Sequence, residues 1–443
     1  MTLLRRWAMV AWVAALAVLS STAVAQTRTF ALIGGTLIDG TGGDPLHDSV
    51  LLIRNDKIER VGTTATLPVP AGYERISTEG LTVLPGLWDL HVHLIYSGHP
   101  NLQYWLQTYA PKFESVTMPA AAEEMLNAGV TSVRDLAAPT GAVMAIKKRV
   151  ESGALHGPTI YAAGAALFPG EGPDLPHAVR ISGAADAVRK TRQLADAHVD
   201  VVKIFGAEGR PVEEIRAAVE TAHSFGLQVT AHGRTDGEIR VGLAAGVDEF
   251  QHIGTDTPEL PADIVETIRQ RITSGRPLYW SPTIGAEANK PHLERDFEYL
   301  ESPQNFVGLK LELEQDVRKA LEAYKPQATP PMLMTTLKRK VQQLRELGVL
   351  FISGSDEGTF GQPAGDALWR DLDAWVRDFG LEPMAAIKWV TSDAAAYMGA
   401  ADRVGTIREG KYADVIAVDG NPLEHISVLR APRIVIRHGQ RIK

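Results

Sequence analysis

The sequence predicts an α/β protein: a (β/α)8 TIM barrel with a small β-sandwich domain formed by the N- and C-terminal segments. Three observations predict it. Apolar, β-branched-rich runs alternate with helical patterns eight times between Leu84 and about Gly399. On either side of that stretch the runs are brief, alternate in polarity and are separated by glycine and aspartate turns. And six residues, His91, His93, Lys203, His232, His252 and Asp356, stand where apolar runs stop, in LTVLPGLWDLHVH, VDVVKIFG, LQVTAHG, VDEFQHIG and VLFISGSDEG. Parallel barrel strands would bring all six to one mouth, where such folds keep their chemistry.

Residues 1–25 read as an export signal. Arg5 and Arg6 supply a positive start, an apolar stretch runs from Trp7 to Leu19, and Ala23-Val24-Ala25 makes a small-residue cleavage site before Gln26. The apolar run falls short of the ~20 residues of a spanning helix. The expectation is a periplasmic or secreted protein with no membrane attachment after cleavage. With no cysteine in the chain, a disulfide framework, thiolate metal ligands and cysteine lipidation are all excluded.

Residues 26–84, with FALIGGTLIDG and SVLLIRNDKIERVG, form the first part of the sandwich. Residues 400–443 form the second, with DVIAVDG and RIVIRHGQRIK separated by the Gly420-Asn421-Pro422 turn. Neither piece has enough apolar positions to close a core alone, so the two are expected to pair. Residues 85–399 make the barrel. Its strands are expected at Leu87–His93, Thr131–Asp135, Thr159–Ala163, Val201–Phe205, Gln228–His232, Glu249–His252, Leu278–Thr283 and Val349–Gly354. Between them AAAEEMLNA, VMAIKKRV, ADAVRKTRQLADA, VEEIRAAVETAHSF and ADIVETIRQRI carry apolar residues at helical spacing. A charged, proline-rich insertion from Glu287 to about Met334 follows the seventh strand, as a lid or a solvated helical excursion.

A chain of 443 residues with a formal charge of -8 can bury a large site, and it carries no basic block to neutralise a phosphate backbone. The partner expected is a small-molecule substrate, not nucleic acid.

Residues two apart on a strand share a face, so His91 and His93 can grip one cation while Val92 packs outward. Alone the pair is a weak signal; His232, His252 and Asp356 at the ends of further strands strengthen it. Imidazole and carboxylate donors suit zinc or a similar divalent ion. Lys203, flanked by Val201, Val202, Ile204 and Phe205, is expected to be buried, and a buried ammonium needs a partner or must lose its proton. Two readings stand: an ion pair with Asp356 or Asp135, or a neutral amine converted by carbon dioxide to a carbamate that bridges two metals. Charge balance favours the carbamate, because four imidazoles and one aspartate offset little of the charge of two divalent ions.

This order of residues resembles the metal-dependent amidohydrolase superfamily. The family places His-X-His after strand one, lysine on strand four, histidines after strands five and six, and aspartate after strand eight, here His91, His93, Lys203, His232, His252 and Asp356. VGTIREGKYADVIAVDGNPLE and LIGGTLIDGTG look like the family's returning and opening β-segments. GVTSVRDL and GPTIYAAG are similar to the imidazolonepropionase-like and prolidase-like branch, which includes Xaa-Pro dipeptidases. Two loops depart from that branch, ALFPGEGPDLPHA after strand three and Gly206-Ala207-Glu208-Gly209 after the lysine, so the metal chemistry transfers and the substrate does not.

The resemblance implies a binuclear hydrolase of an amide bond, peptide-like or N-acyl amino acid. His91, His93 and Asp356 would hold one ion, His232 and His252 the other, with carbamylated Lys203 between them and a hydroxide bridging the metals. Asp356 would act as general base and then acid. Arg234, two residues beyond His232, can clamp a substrate carboxylate or pair with Asp236 or Glu238. Tyr161 is assigned to substrate binding, and Tyr96 to the pocket wall or to plain packing. A homo-oligomer is common among similar proteins. One alternative is a mononuclear cyclic-amide hydrolase or deaminase, disfavoured because the nearest glutamate after His232 is Glu238. The other is a non-catalytic exported binding protein, disfavoured because all six positions are filled.

Overall fold

The structure, a computed structural model, describes residues 28–172, 175–288, 311–324 and 332–443. The expected export segment lies outside them, as does much of the insertion after the seventh barrel strand. No helix among the described residues is long and apolar enough to cross a membrane.

The N-terminal end supplies strands β1 (Thr29–Leu37), β2 (Leu46–Arg54), β3 (Lys57–Thr63), β4 (Glu74–Ser77) and β5 (Leu81–Pro85), of which β2 buries an unbroken run from Ser49 to Ile53. The middle of the chain supplies β6 (Leu87–Val92), β7 (Val130–Asp135), β8 (Thr159–Ala162), β9 (Ala166–Pro169), β10 (Ala178–Ile181), β11 (Val201–Ile204), β12 (Gln228–His232), β13 (Glu249–Gln251), β14 (Tyr279–Ser281) and β15 (Leu350–Phe351). The C-terminal end adds β16 (Val415–Asp419), β17 (Ile434–Arg437) and β18 (Gln440–Arg441).

The two chain ends do meet, in one eight-stranded sheet of order β18-β17-β16-β5-β1-β2-β3 with β4 on β1. Where the sequence suggested stacked sheets, the ladder is continuous and curls. Ile58 on its outer strand exchanges backbone hydrogen bonds with residues 410 and 411 at 2.9 Å each, just ahead of β16. One apolar cluster therefore draws on Leu32, Ile53 and Ile58 from one chain end and on Val415, Ile434 and Ile436 from the other.

The middle strands are parallel and lie in two sheets, β6-β7-β8 and β10-β9-β11-β12-β13-β14-β15. The expected single closed cylinder is thus drawn with two seams. At one, Asp356 N–H donates to the His91 carbonyl at 2.9 Å and His93 N–H to the Glu357 carbonyl at 2.8 Å. At the other, Asp200 N–H donates to the Ala162 carbonyl at 2.8 Å. Both seams have local causes. β15 stops after two residues because the chain turns through Gly354 and Ser355 to Asp356, whose φ is +62°, and the four-residue strands β9 and β10, which the sequence did not announce, occupy the edge of the larger sheet beside β11, where β8 was expected to pair.

Helices cover the outer faces as their apolar spacing predicts. Ala262–Thr273 buries Ile264 and Ile268, one turn apart. The helix after β12, Asp236–Ala245, is started by Thr235, whose hydroxyl accepts the Glu238 N–H, and stopped by Gly246 at φ +90°. That cap holds the loop bearing Arg234. In the described part of the insertion, Leu311–Glu322 is a packed helix rather than a solvated one. It buries Leu313, Val317 and Leu321, and Asp316 accepts hydrogen bonds from Tyr104 (3.3 Å) and Tyr109 (2.8 Å).

One buried carboxyl gives the fold a pH dependence. Burial pushes Asp371, on helix Ala367–Phe379, up to about 8, against the opposing effect of the Gly285 N–H it accepts at 2.7 Å. A carboxyl whose folded value lies above its unfolded one stabilises fully below the unfolded value, about 4, and loses that stabilisation as pH rises towards 8. Asp371→Asn keeps the acceptor and removes the penalty. Its melting temperature should match wild type near pH 4 and exceed it by several degrees at pH 8; equal melting curves at both pH values would refute this.

Candidate metal centre

The strand ends are stitched together before any functional side chain is considered. Asp89, fully buried on β6, accepts N–H bonds from His91 (3.0 Å) and Ser355 (3.1 Å) and the Ser355 hydroxyl. Burial lifts its carboxyl to about 6, with the Ser355 and His91 hydrogen bonds opposing. Gly354 is required here because a Cβ would lie 2.3 Å from Ser281 Oγ and 2.8 Å from His91 Cβ. His252 at φ +65°, Thr283 at φ +49° and Asp356 at φ +62° are left-handed residues at consecutive strand ends. For threonine that conformation is a true outlier, and such backbone concentrates at functional sites.

On this frame the structure gathers most of the predicted set around Asp356. Its Oδ1 lies 3.3 Å from His91 Nε2 and 3.2 Å from His93 Nε2, and its Oδ2 lies 3.9 Å from His252 Nδ1. His91, His252 and Asp356 present ligand atoms within 4.8 Å of one another, all buried, so they are able to hold a cation. His232 joins through its ring, 4.7 Å from that of His252. Lys203 projects from β11, 1 % exposed, its Nζ without a hydrogen-bond partner. The ion pair with Asp356 or Asp135 is therefore not formed; Asp135 instead accepts the Leu94 N–H at 2.8 Å.

The chemistry of these groups suits a metal. Burial above all holds His91, His232 and His252 well below the usual histidine range, with the Lys203 charge assisting at all three and Arg234 at His232 and His252, so they are neutral imidazoles able to ligate. Burial pushes the Lys203 amine down to about 7. Burial alone would raise Asp356, yet the His93 hydrogen bond and the neighbouring positive groups bring it below the ordinary aspartate value. Both ring nitrogens of His91, Nδ1 of His93 and the Lys203 amine are buried without hydrogen-bond partners, an arrangement proteins avoid unless another group satisfies them.

Two predicted substrate residues fare differently. The Arg234 side chain does not pair with Asp236 or Glu238. The Arg234 backbone N–H donates to the Glu238 carboxylate (3.0 Å), while the half-exposed guanidinium donates to Asp356 Oδ2 and reaches His252 Nε2, both at 3.3 Å. Tyr161 is misplaced by the sequence reading. Its ring stacks on Trp88 at 5.5 Å in a packed cluster with Leu90, Ile352 and Tyr397, beneath the centre rather than at its mouth. The reason is register: Tyr161 pairs with Arg134, one residue short of the strand end at Asp135.

Three contributors went unseen in the sequence. Thr283 Oγ1 lies 2.9 Å from His252 Nδ1 and so orients that ring. His177 contacts the Tyr96 hydroxyl at 3.3 Å, and a run of ring contacts, His93 to Tyr96 (5.8 Å), Tyr96 to His177 (5.8 Å), His177 to Phe205 (6.4 Å) and Phe205 to His232 (5.6 Å), walls the mouth. His177 lies near the end of the departing ALFPGEGPDLPHA segment, which was the available signal. Asp89 stood in plain view two residues before His91. Hydrogen-bond partners behind metal-binding histidines typically affect affinity 10–100-fold. Thr283→Val should therefore weaken metal retention by roughly that factor in a chelator competition, with Thr283→Ser near wild type; equal retention by both variants would remove the role.

A parallel-stranded α/β fold with neutral histidines and a carboxylate gathered at the strand C-terminal ends defines a metal-binding hydrolase. The model of the amidohydrolase family matches residues 82–441, and the chain belongs to that family. It is 29% identical over 436 residues to an ochratoxinase of Aspergillus niger, covering 93% of this chain and 85% of that protein. It is 24% identical over 420 residues to an imidazolonepropionase of Geobacillus sp., covering 89% and 92%. Among solved structures, a putative prolidase from Bifidobacterium longum superposes with TM-score 0.72 at 24% identity over 94% of both chains. A Xaa-Pro dipeptidase with bound methionine in the active site gives TM-score 0.72 at 23% identity, over 94% of this chain and all of that one. The likeness of the prolidase and dipeptidase structures is one of fold.

Proposed function

We propose that this protein is a metal-dependent hydrolase of an amide bond whose amine side is an amino acid with a free carboxylate. The observation that carries the reading is Arg234, held over Asp356 and His252 at 3.3 Å with its guanidinium open to the mouth. Beside it lies a recess of about 260 Å³ bounded by Tyr96, Trp105, Leu102, Phe360 and Arg234. A cation at the rim of an aromatic recess suits a carboxylate carried next to an apolar side chain.

His91, His93 and Asp356 would hold one divalent ion, zinc being the best match to the donors, and His232 and His252 a second. Lys203 would join both as a carbamate: its neutral amine attacks carbon dioxide, the N–C bond forms and one proton leaves to solvent. When bound, the ions supply a low-pKa water as nucleophile and polarise the scissile carbonyl. The chain's own residues do the rest. Asp356 is held ionised, so it can take the proton of the attacking water and return it to the leaving nitrogen. Arg234 fixes the substrate carboxylate. Tyr96, whose hydroxyl burial pushes well above the usual tyrosine range, stays protonated and faces His177. The two sheets would act as one (β/α)8 barrel around this centre.

The deaminase alternative loses its acid. Glu238 is buried and accepts N–H bonds from Gly206 and Arg234, both at 3.0 Å, which ties it to the loops after β11 and β12. Export to the periplasm or medium through residues 1–25, and assembly as a homo-oligomer, complete the proposal.

Hydrolysis of N-acyl amino acids, dipeptides and ochratoxin, for which the A. niger relative is named, tests it against neutral amides with zinc present. Arg234→Ala should raise KM for carboxylate substrates by about 10–100-fold, the loss of a charge-assisted hydrogen bond, and leave neutral amides within threefold. Equal losses on both classes remove the clamp; inactivity across the panel removes the function.

A further inference from the structure

Beneath the centre lies a buried polar network that the mechanism does not use. Lys203 on β11 pairs in register with Thr230 on β12, and Thr230 with Glu249 on β13, so the three occupy one lateral row across adjacent parallel strands. Same-row side chains point to the same face, and two strand spacings amount to about 10 Å between Cα atoms, a gap that lysine and glutamate side chains together can close. Glu249, 1 % exposed, is the carboxylate placed to capture the Lys203 ammonium.

It does not, because other donors hold it. Arg134, fully buried on β7, grips Glu249 with two parallel bonds of 2.8 and 2.6 Å and steadies itself on the Leu90 carbonyl at 2.7 Å. The Tyr397 hydroxyl donates to one Glu249 oxygen and the Gln251 amide to the other. The Tyr397 ring also lies 5.5 Å beneath the Arg134 guanidinium. The carboxylate is saturated, and the Lys203 amine two strands away has no hydrogen-bond partner.

We propose that Arg134 and Tyr397 are positioning residues for Lys203: by occupying Glu249 they keep it off the lysine and leave the amine open to carbon dioxide. This rests on the carbamate reading of Lys203. Without Arg134, Glu249 would be a buried, unpaired charge, strongly driven to salt-bridge the nearest cation. A lysine paired as an ammonium has no lone pair with which to form the N–C bond.

The test is ¹³C NMR of full-length protein prepared with zinc and ¹³C-bicarbonate, alongside the metal count per chain. Wild type should show one carbamate resonance and near two zinc ions. Arg134→Met should lose at least about tenfold in carbamate occupancy and the second ion. Removing the competing acid as well, in Arg134→Met/Glu249→Met, should restore both to within twofold, a rescue that a merely structural role would not give. Tyr397→Phe, which leaves the ion pair intact, guards against failure of Arg134→Met to fold: the bicarbonate needed for half occupancy should rise severalfold. A full carbamate signal in Arg134→Met, no rescue in the double variant, or an unchanged bicarbonate requirement in Tyr397→Phe overturns the inference. Absence of the resonance in wild type overturns the carbamate reading itself.

Discussion

Asp356→Asn is expected to lower kcat by roughly 10²- to 10⁴-fold, the usual worth of a positioned general acid–base group, while metal content stays near wild type. The substitution is mild everywhere except in its proton chemistry. Asparagine tolerates left-handed backbone as aspartate does, so φ +62° carries no new strain. The amide oxygen can still face His91 and His93, which now stand 3.3 and 3.2 Å from Oδ1. What is lost is a carboxylate that accepts a proton at neutral pH. Single-turnover kinetics with a metal assay on the same sample decide it. A variant within tenfold of wild type takes Asp356 out of proton transfer, and one that is inactive because it is metal-free makes it a ligand only.

Lys203→Ala carries the second large effect. If Lys203 bridges two ions as proposed, its loss should reduce the metal count from two to one or fewer and lower kcat/KM by about 10²- to 10⁴-fold, several kcal/mol of charge stabilisation at tenfold per 1.36 kcal/mol. The deleted side chain is 1 % exposed, so the variant opens room beside the histidines. Formate or acetate should enter that room and restore part of the activity and of the second ion. Unimpaired activity without added acid would show that no bridge from Lys203 is needed.

Much of this site was legible because strands announce themselves. β-branched runs that stop at His93, His232 and His252 place each ligand at a strand end, and observed strands such as Gln228–His232 and Glu249–Gln251 fall within a residue of expectation. The strands β9 and β10 were not legible: each is four residues long, one ends in Pro169, and both sit in a loop rich in glycine and proline. Tyr161 was misassigned because proximity to a strand end does not reveal the layer; only pairing with Arg134 does. Thr283 and the Arg134–Glu249 pair belong to no local pattern, since their partners lie 31 and 115 residues away in the chain. Long-range polar contacts of this kind are set by tertiary packing, which periodicity and spacing do not encode. The family resemblance supplied the ligand order, and from the departing loop after strand three His177 is seen against the mouth, on the Tyr96 hydroxyl.

If four histidines, a carboxylated Lys203 and Asp356 hold a pair of cations, a crystal structure of zinc-loaded protein, phased on the zinc edge, will show two anomalous peaks ringed by His91, His93, His232, His252 and Asp356, with continuous density for a carboxyl group on Lys203 between them. A single peak, an unmodified lysine, or zinc bound elsewhere on the chain would refute this.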